Sequence, residues 1–226
     1  MDSTAVQFVS GLVIYMVIWI FSVSAHEAAH AWTSWKFNDD TAYLLGRVTL
    51  NPIPHIDPIG TLLLPIIGYA LGFFGGAAGV PLIMWGKPTP VNPLNWRNKD
   101  VANICVSLAG IAVNLLIATV SAFVFKGLIY GGIIAGADLQ DGLTGILVQF
   151  MYGMIILNVG LAVFNLLPFP PLDGSKALQS ILPDSFAPIF EILETYGFLI
   201  LLILIQMGII RLLVVPLRDL ILYLIL

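Results

Sequence analysis

Residues 24–32 read SAHEAAHAW. His26 and His30 are four positions apart, so on a helix they share a face, with Glu27 beside them. The H-E-x-x-H spacing suits zinc: two imidazoles ligate the metal and the glutamate serves as general base. A zinc-bound water has its pKa lowered to about 7, which makes hydroxide available at neutral pH. The plainer reading is a pair of interfacial histidines packed beside Trp32 and Trp35. Ionisable groups at membrane depth are costly and functional by default, which favours the metal.

The elements that must position this motif are membrane helices. Of 226 residues, 59% are hydrophobic and 10% charged, against about 25% charged in soluble domains, and the mean hydropathy is +0.98. Residues 3–25, 101–125 and 143–167 are free of Asp, Glu, Lys, Arg and His over 23 to 25 positions each. About 20 suffice to cross a bilayer. A fourth run, 188–210, is also expected to cross, with Glu191 and Glu194 in its first turns as a helix-start acidic pair. The opening run starts Met-Asp without a basic n-region and ends in the motif itself, so it reads as a span rather than a cleaved signal peptide. Cys105 stands alone inside a span, which excludes disulfides. With no basic patch and a net charge of −4, nucleic-acid binding is set aside. No repeat or soluble insertion suggests a second domain.

A catalytic zinc takes three protein ligands and keeps one position open. The strongest candidate for the third follows the third span, in NVGLAVFNLLPFPPLDGSKAL (residues 158–178). Pro168, Pro170 and Pro171 forbid a regular helix there. Asp173 and Gly174 then fall on a turn before a short helix. Broken backbone at membrane depth survives only inside protein or beside a water-filled cavity. An aspartate delivered there is either a turn-former or a ligand.

Together, HEAAH and FNLLPFPPLDG resemble the site-2 proteases, the intramembrane zinc metalloproteases of peptidase family M50. The resemblance covers about residues 10–180 and is far more specific than either motif alone. It implies Asp173 as third ligand beside His26 and His30, Glu27 as base, and one zinc per chain. Asn165 matches the asparagine that opens the second motif. AGIAVN (residues 109–114) resembles the family's G-x-x-x-N pattern, with Ile111 where a proline is usual. GRVTLNPIPHIDPIGT (46–61) and GKPTPVNPLNWRN (86–98) resemble the family's compact branch, which lacks a PDZ domain.

Topology must bring Asp173 to the histidines. Let side X be the side reached at the end of the first span. Spans 101–125 and 143–167 return Asp173 to X only if residues 58–86 begin and end there. That stretch is uncharged over 29 residues and holds seven glycines and three prolines. A single crossing would strand Asp173 on the far side Y, and two need about 40 residues. GFFGGAAG in its middle is a natural reversal, so the expectation is a re-entrant hairpin, the alternative being a single crossing offset by an additional crossing elsewhere. Lys36, Arg47, Lys87, Arg97, Lys99 and Lys176 then face X, whereas Lys126, Arg211 and Arg218 face Y. Six against three makes X cytoplasmic, with the N-terminus outside. Trp32, Trp35, Trp85 and Trp96 form an interface belt.

The expected architecture is an all-α polytopic membrane protein. It has about four transmembrane helices, a re-entrant hairpin and a small membrane-associated β element from GRVTL and KPTPVN. It forms a single intramembrane metalloprotease domain over residues 1–226, with a catalytic core at about 10–180 and a C-terminal helix and interfacial tail at 186–226. The tail is expected to lie at the Y interface. The expected setting is a prokaryotic cell (inner) membrane, the bilayer itself is a partner, and the substrate is a transmembrane protein or peptide. Such a helix must partly unwind, and adding it to an exposed edge is one route. His55 reads as a loop histidine bonded to Asp57, or as an oxyanion donor or fourth ligand. Asn114 reads as an interhelical bridge or an oxyanion donor. Two rivals remain. One is a multispan HExxH peptidase of another family, using Glu191 or Glu194. The other is a non-catalytic zinc-holding scaffold, which would have no use for Glu27.

Overall fold

The computed structural model describes residues 3–75, 84–134 and 142–226. Long helices dominate: α1 (Ser3–Lys36), α3 (Leu64–Gly75), α4 (Lys99–Tyr130), α5 (Gly142–Asn165), α7 (Ala187–Gln206) and α8 (Ile209–Ile225), with short α2 (Thr41–Leu44) and α6 (Asp173–Gln179). Five helical stretches are long and apolar enough to span a membrane, namely Thr4–Lys36, Pro58–Gly75, Lys99–Tyr130, Gly142–Asn165 and Ala187–Gln206. The chain is an integral membrane protein. Its helices turn apolar side chains outward, as at Phe123 on α4, which is 71% exposed; lipid covers such a surface at no cost.

Helix α4 is central, with α1 packed on one side and α5 on the other. Small residues allow the approach: Ala118 and Ala122 of α4 and Ala162 of α5 are buried. Close backbone contact of this kind drives helix association where lipid removes the hydrophobic incentive. Helix α1 also carries α3 through an aromatic cluster, in which Tyr15 stacks on Tyr69 with centroids 5.4 Å apart.

The structure adds a fifth apolar helix to the four expected. It is the Pro58–Gly75 stretch, which opens as a π-helical turn at Pro58–Leu63 with Asp57 capping the amides of Ile59 and Gly60. Of GFFGGAAG (residues 72–79), where the reversal is expected, the first four residues close α3 and the last four lie outside the described residues. The flanks of the stretch do meet, because Trp85 N–H donates to Gly60 O at 3.3 Å and Thr61 Oγ1 to Trp85 O at 2.9 Å.

The β element expected at GRVTL and KPTPVN is not found: no strand occurs among the described residues. Residues 46–50 form a turn and bends, and 87–92 run without regular structure. Pro88 and Pro90 remove two of the amides a ladder would need. The tail is helical, as α7 and α8, and α8 packs against the bundle. Ile210 clusters with Leu167 and Leu172 just beyond the C-terminal end of α5, and Leu217, Ile221, Leu222 and Ile225 cover Ala118, Val159 and Val163. An apolar stripe facing two helices is better buried against them than in the interface.

Candidate metal centre

Helices α1 and α4 run antiparallel, and both offer groups at a spacing of four. His30 Nδ1 donates to Val106 O at 2.6 Å, and His26 Nδ1 to Asn114 Oδ1 at 2.6 Å. Between these, Gly110 lies flat against the His26 ring. A Cβ built there would fall 2.5 Å from ring atoms Cε1 and Nε2, so only glycine admits the imidazole. The glycine and asparagine of AGIAVN are thereby the seat and the orienting partner of His26.

Helix α5 stops at Asn165, and the prolines after it turn the chain back. Gly174 then packs on the end of α5, where a Cβ would meet Leu166 O at 2.3 Å. This close approach delivers Asp173, 6% exposed, at the start of α6. Its Oδ2 lies 2.9 Å from His26 Nε2 and 3.1 Å from His30 Nε2. Its Oδ1 accepts from Lys176 Nζ at 3.1 Å.

The hydrogen bonds determine the tautomers. Val106 O can only accept, so His30 carries its proton on Nδ1. Asn114 Nδ2 donates to Asn158 Oδ1 at 2.8 Å and to Ser22 O at 3.4 Å, which leaves Oδ1 to accept from His26 Nδ1. Both rings thus have Nδ1 engaged and turn Nε2 toward Asp173 Oδ2. In the neutral tautomer with the proton on Nδ1, each Nε2 offers a lone pair that a cation among the three atoms would take up. The donor atoms of His26, His30 and Asp173 all lie within 4.8 Å of one another, and could hold a metal ion. Two imidazoles and a carboxylate are a donor set that suits zinc.

Glu27 projects beside this cluster. Its Oε2 accepts from Thr89 N–H at 2.8 Å. A cavity of about 460 Å³ opens in front of it, lined by Trp19, Trp85, Phe164 and Phe198 as well as His26 and Asp173. A smaller one of about 90 Å³, lined by His30, Thr89, Asn103 and Ser107, shares Glu27, Asp173 and Lys176 with the first.

The other candidates of the sequence separate here. Asn165 lines the larger cavity, its amide donating back to Leu161 O at 3.0 Å. Asn114 is fully buried with its amide hydrogens directed to Asn158 and Ser22, so it orients His26 and has none left for an oxyanion. His55 lines neither cavity and does not bond Asp57. Its Nε2 donates to Thr49 O at 2.9 Å, its Nδ1 has no partner among the described residues, and burial pushes its pKa down. The rival ligands Glu191 and Glu194 are not in the cluster. Reading the sequence missed Asn158, whose Nδ2 donates to Ser22 Oγ and Met154 O, both at 2.8 Å. A polar residue in an uncharged span was the available signal. It also missed Val106, which acts through its carbonyl, and Thr89.

Comparison with known proteins bears on the family. The profile of Peptidase family M50 matches residues 58–205. The chain is 37% identical over 191 residues to the Bacillus subtilis protein named "Putative zinc metalloprotease YwhC", a match spanning 84% of this chain and 79% of that one. It is 30% identical over 198 residues to "Putative zinc metalloprotease Rip2" of Mycolicibacterium smegmatis, spanning 88% and 68%. No solved structure matches. The chain belongs to peptidase family M50, the site-2 protease family.

Proposed function

We propose that the chain is an intramembrane zinc metalloprotease that hydrolyses peptide bonds in or beside transmembrane segments of membrane-protein substrates. The observation that carries the reading is the convergence of three potential metal donors from His26, His30 and Asp173, within a bundle of membrane helices, next to a carboxylate that is not one of them.

His26, His30 and Asp173 would hold one zinc per chain. Zinc so held supplies Lewis acidity and lowers the pKa of water. Glu27 takes the proton of the attacking water and returns it to the leaving amine. Asn114 and Val106 keep the imidazoles oriented, and Lys176 holds the second oxygen of Asp173. The apolar walls of the larger cavity exclude bulk water and suit an apolar stretch of substrate. Gly86, with its N–H and C=O unpartnered among the described residues, offers main-chain groups to an unwound segment. Asn165 lines the cavity wall, which supports reading its second amide hydrogen as a donor to the substrate carbonyl.

The arrangement also supports the topology. Gly60 and Trp85 meet, in keeping with a stretch 58–86 whose ends share side X. Side X then faces the cytoplasm of a prokaryotic cell membrane, and the site opens to that side. The chain acts as one intramembrane domain.

The test is hydrolysis of a transmembrane reporter peptide in proteoliposomes by the wild type and by Glu27→Gln. The variant should keep its metal and fold and lose about 10²–10⁴-fold in rate. Cleavage by Glu27→Gln at the wild-type rate would remove Glu27 as the base. A wild type that holds zinc without cleaving any membrane peptide would favour the scaffold reading.

A further inference from the structure

We infer that residues 84–92 form a strap that holds Glu27 in one rotamer, with Thr89 as its positioning residue. The inference rests on the reading of Glu27 as the base. Among the described residues, the Glu27 carboxylate accepts from one group only, Thr89 N–H, at 2.8 Å. The hydroxyl of the same residue donates to the Glu27 main-chain carbonyl at 2.9 Å. Pro88 and Pro90 flank Thr89 and carry no N–H. The single main-chain donor of that tripeptide is thus directed at the base.

One carboxylate oxygen, Oε2, is held in this way, and among the described residues no donor reaches Oε1. Gly86 allows the strap to lie so close to α1. A Cβ at that position would fall 2.4 Å from Val23 Cγ1 and 3.7 Å from Glu27 Oε1.

The strap is pinned on both sides of Thr89 by groups that contribute no metal donor. Before it, Lys87 N–H donates to His55 O at 2.8 Å and Arg47 Nη1 to Lys87 O at 3.3 Å. After it, Asn92 N–H donates to Asp39 Oδ2 at 2.8 Å and Asn95 Nδ2 to Asp39 Oδ1 at 3.1 Å. Asp39 is in turn bonded by Ser34 of α1 at 2.8 Å, and Trp96 Nε1 donates to Ser34 Oγ at 2.8 Å. Rigid loops on either side of Thr89 therefore converge on a single side chain. A glutamate on a helix otherwise samples several rotamers, and proton transfer requires hydrogen-bond reach of the reacting water. A displacement of about 1 Å can cost 10²-fold in rate.

The test measures kcat, KM, zinc content and thermal midpoint with the reporter peptide in proteoliposomes. Thr89→Val removes only the hydroxyl and should lower kcat about 3–10-fold; Thr89→Pro also removes the N–H and should lower it about 10–100-fold. KM, zinc content and thermal midpoint should stay near wild type, and Thr89→Ser should restore kcat to within about 2-fold. Wild-type kcat in both Thr89→Val and Thr89→Pro overturns the inference. So does a loss in which zinc content and KM change together, or one that serine fails to rescue. If Thr89→Pro does not fold, Thr89→Val against Thr89→Ser decides alone. Glu27→Gln separates the two claims. An active Glu27→Gln defeats the reading of the base, whereas an inert Glu27→Gln beside fully active Thr89 variants defeats only the strap.

Discussion

Replacing Gly110 by alanine adds one methyl group, and the structure says where it would go. The new Cβ would fall 2.5 Å from His26 Cε1 and Nε2 and 2.6 Å from Cδ2. Ordinary contact begins near 3.4 Å, so ring and helix must separate by about 0.9 Å. The ring cannot swing aside freely, because Nδ1 is held by Asn114 at 2.6 Å and Nε2 faces Asp173 at 2.9 Å. Metal–ligand distances tolerate only about 0.2 Å. Zinc affinity should therefore fall by at least the ~10–100-fold seen when ligand-orienting groups are lost. Helix propensity acts in the opposite direction, since alanine is favoured over glycine inside a helix by about 0.5–1 kcal/mol. The assay is competition with a chromogenic chelator for affinity, beside the thermal midpoint of the metal-stripped protein. The expected result is weakened zinc binding in a chain whose apo form is no less stable. Wild-type affinity in Gly110→Ala would refute the close seat of His26. An apo form that has collapsed would mean that the methyl group disturbs the bundle rather than the ring.

Other outcomes follow from separate parts of the molecule. Asn158→Leu removes the amide that fixes Asn114. It should weaken zinc binding about 10-fold without altering the fold; unchanged binding in the chelator assay would show that Asn114 orients His26 unaided. Burial pushes Asp39 up, but hydrogen bonds from Thr41, Asn92, Ser34 and Asn95 outweigh it and hold the carboxyl at about 2. A pKa depressed on folding stabilises above the unfolded value and is lost as pH falls through the folded one. About 2 kcal/mol should therefore disappear between roughly pH 4 and pH 2. Asp39→Asn should flatten that part of the stability curve, and an equally steep fall in the variant would contradict it. Single cysteines at 41 and 92, in a chain with Cys105 replaced, should both resist a membrane-impermeant thiol reagent until cells are opened. Labelling of one and not the other would mean that residues 58–86 cross.

The chemistry was legible in the sequence where residue type and spacing coincide. His26 and His30 needed only the helical repeat, and Asp173 needed the prolines that end α5 and a resemblance that singled it out. The spans were legible as uncharged runs of sufficient length. Less legible was anything that depends on two segments meeting. Val106 contributes a carbonyl, which every residue has, and Gly110 contributes the absence of a side chain. Thr89 is an ordinary loop residue until it lies on Glu27. The β element was expected from the propensity of GRVTL, yet Pro88 and Pro90 weaken its proposed partner. Asn114 was weighed as an oxyanion donor because its neighbours were unknown. Once Asn158 and Ser22 take its amide hydrogens, orienting His26 is what remains. The tail appeared interfacial because Arg211, Pro216 and Arg218 interrupt it. Its other face proved apolar enough to cover α4 and α5.

The central claim is that Asp173, more than 140 residues along the chain from both histidines, completes their metal site. Zinc content of the purified protein measures it most directly, in the wild type, Asp173→Ala and a Glu191→Ala/Glu194→Ala double variant. About one zinc is expected in the wild type and in the double variant, and loss of most of it in Asp173→Ala. Full zinc in Asp173→Ala, with loss in the double variant, would move the third ligand to α7 and contradict the account.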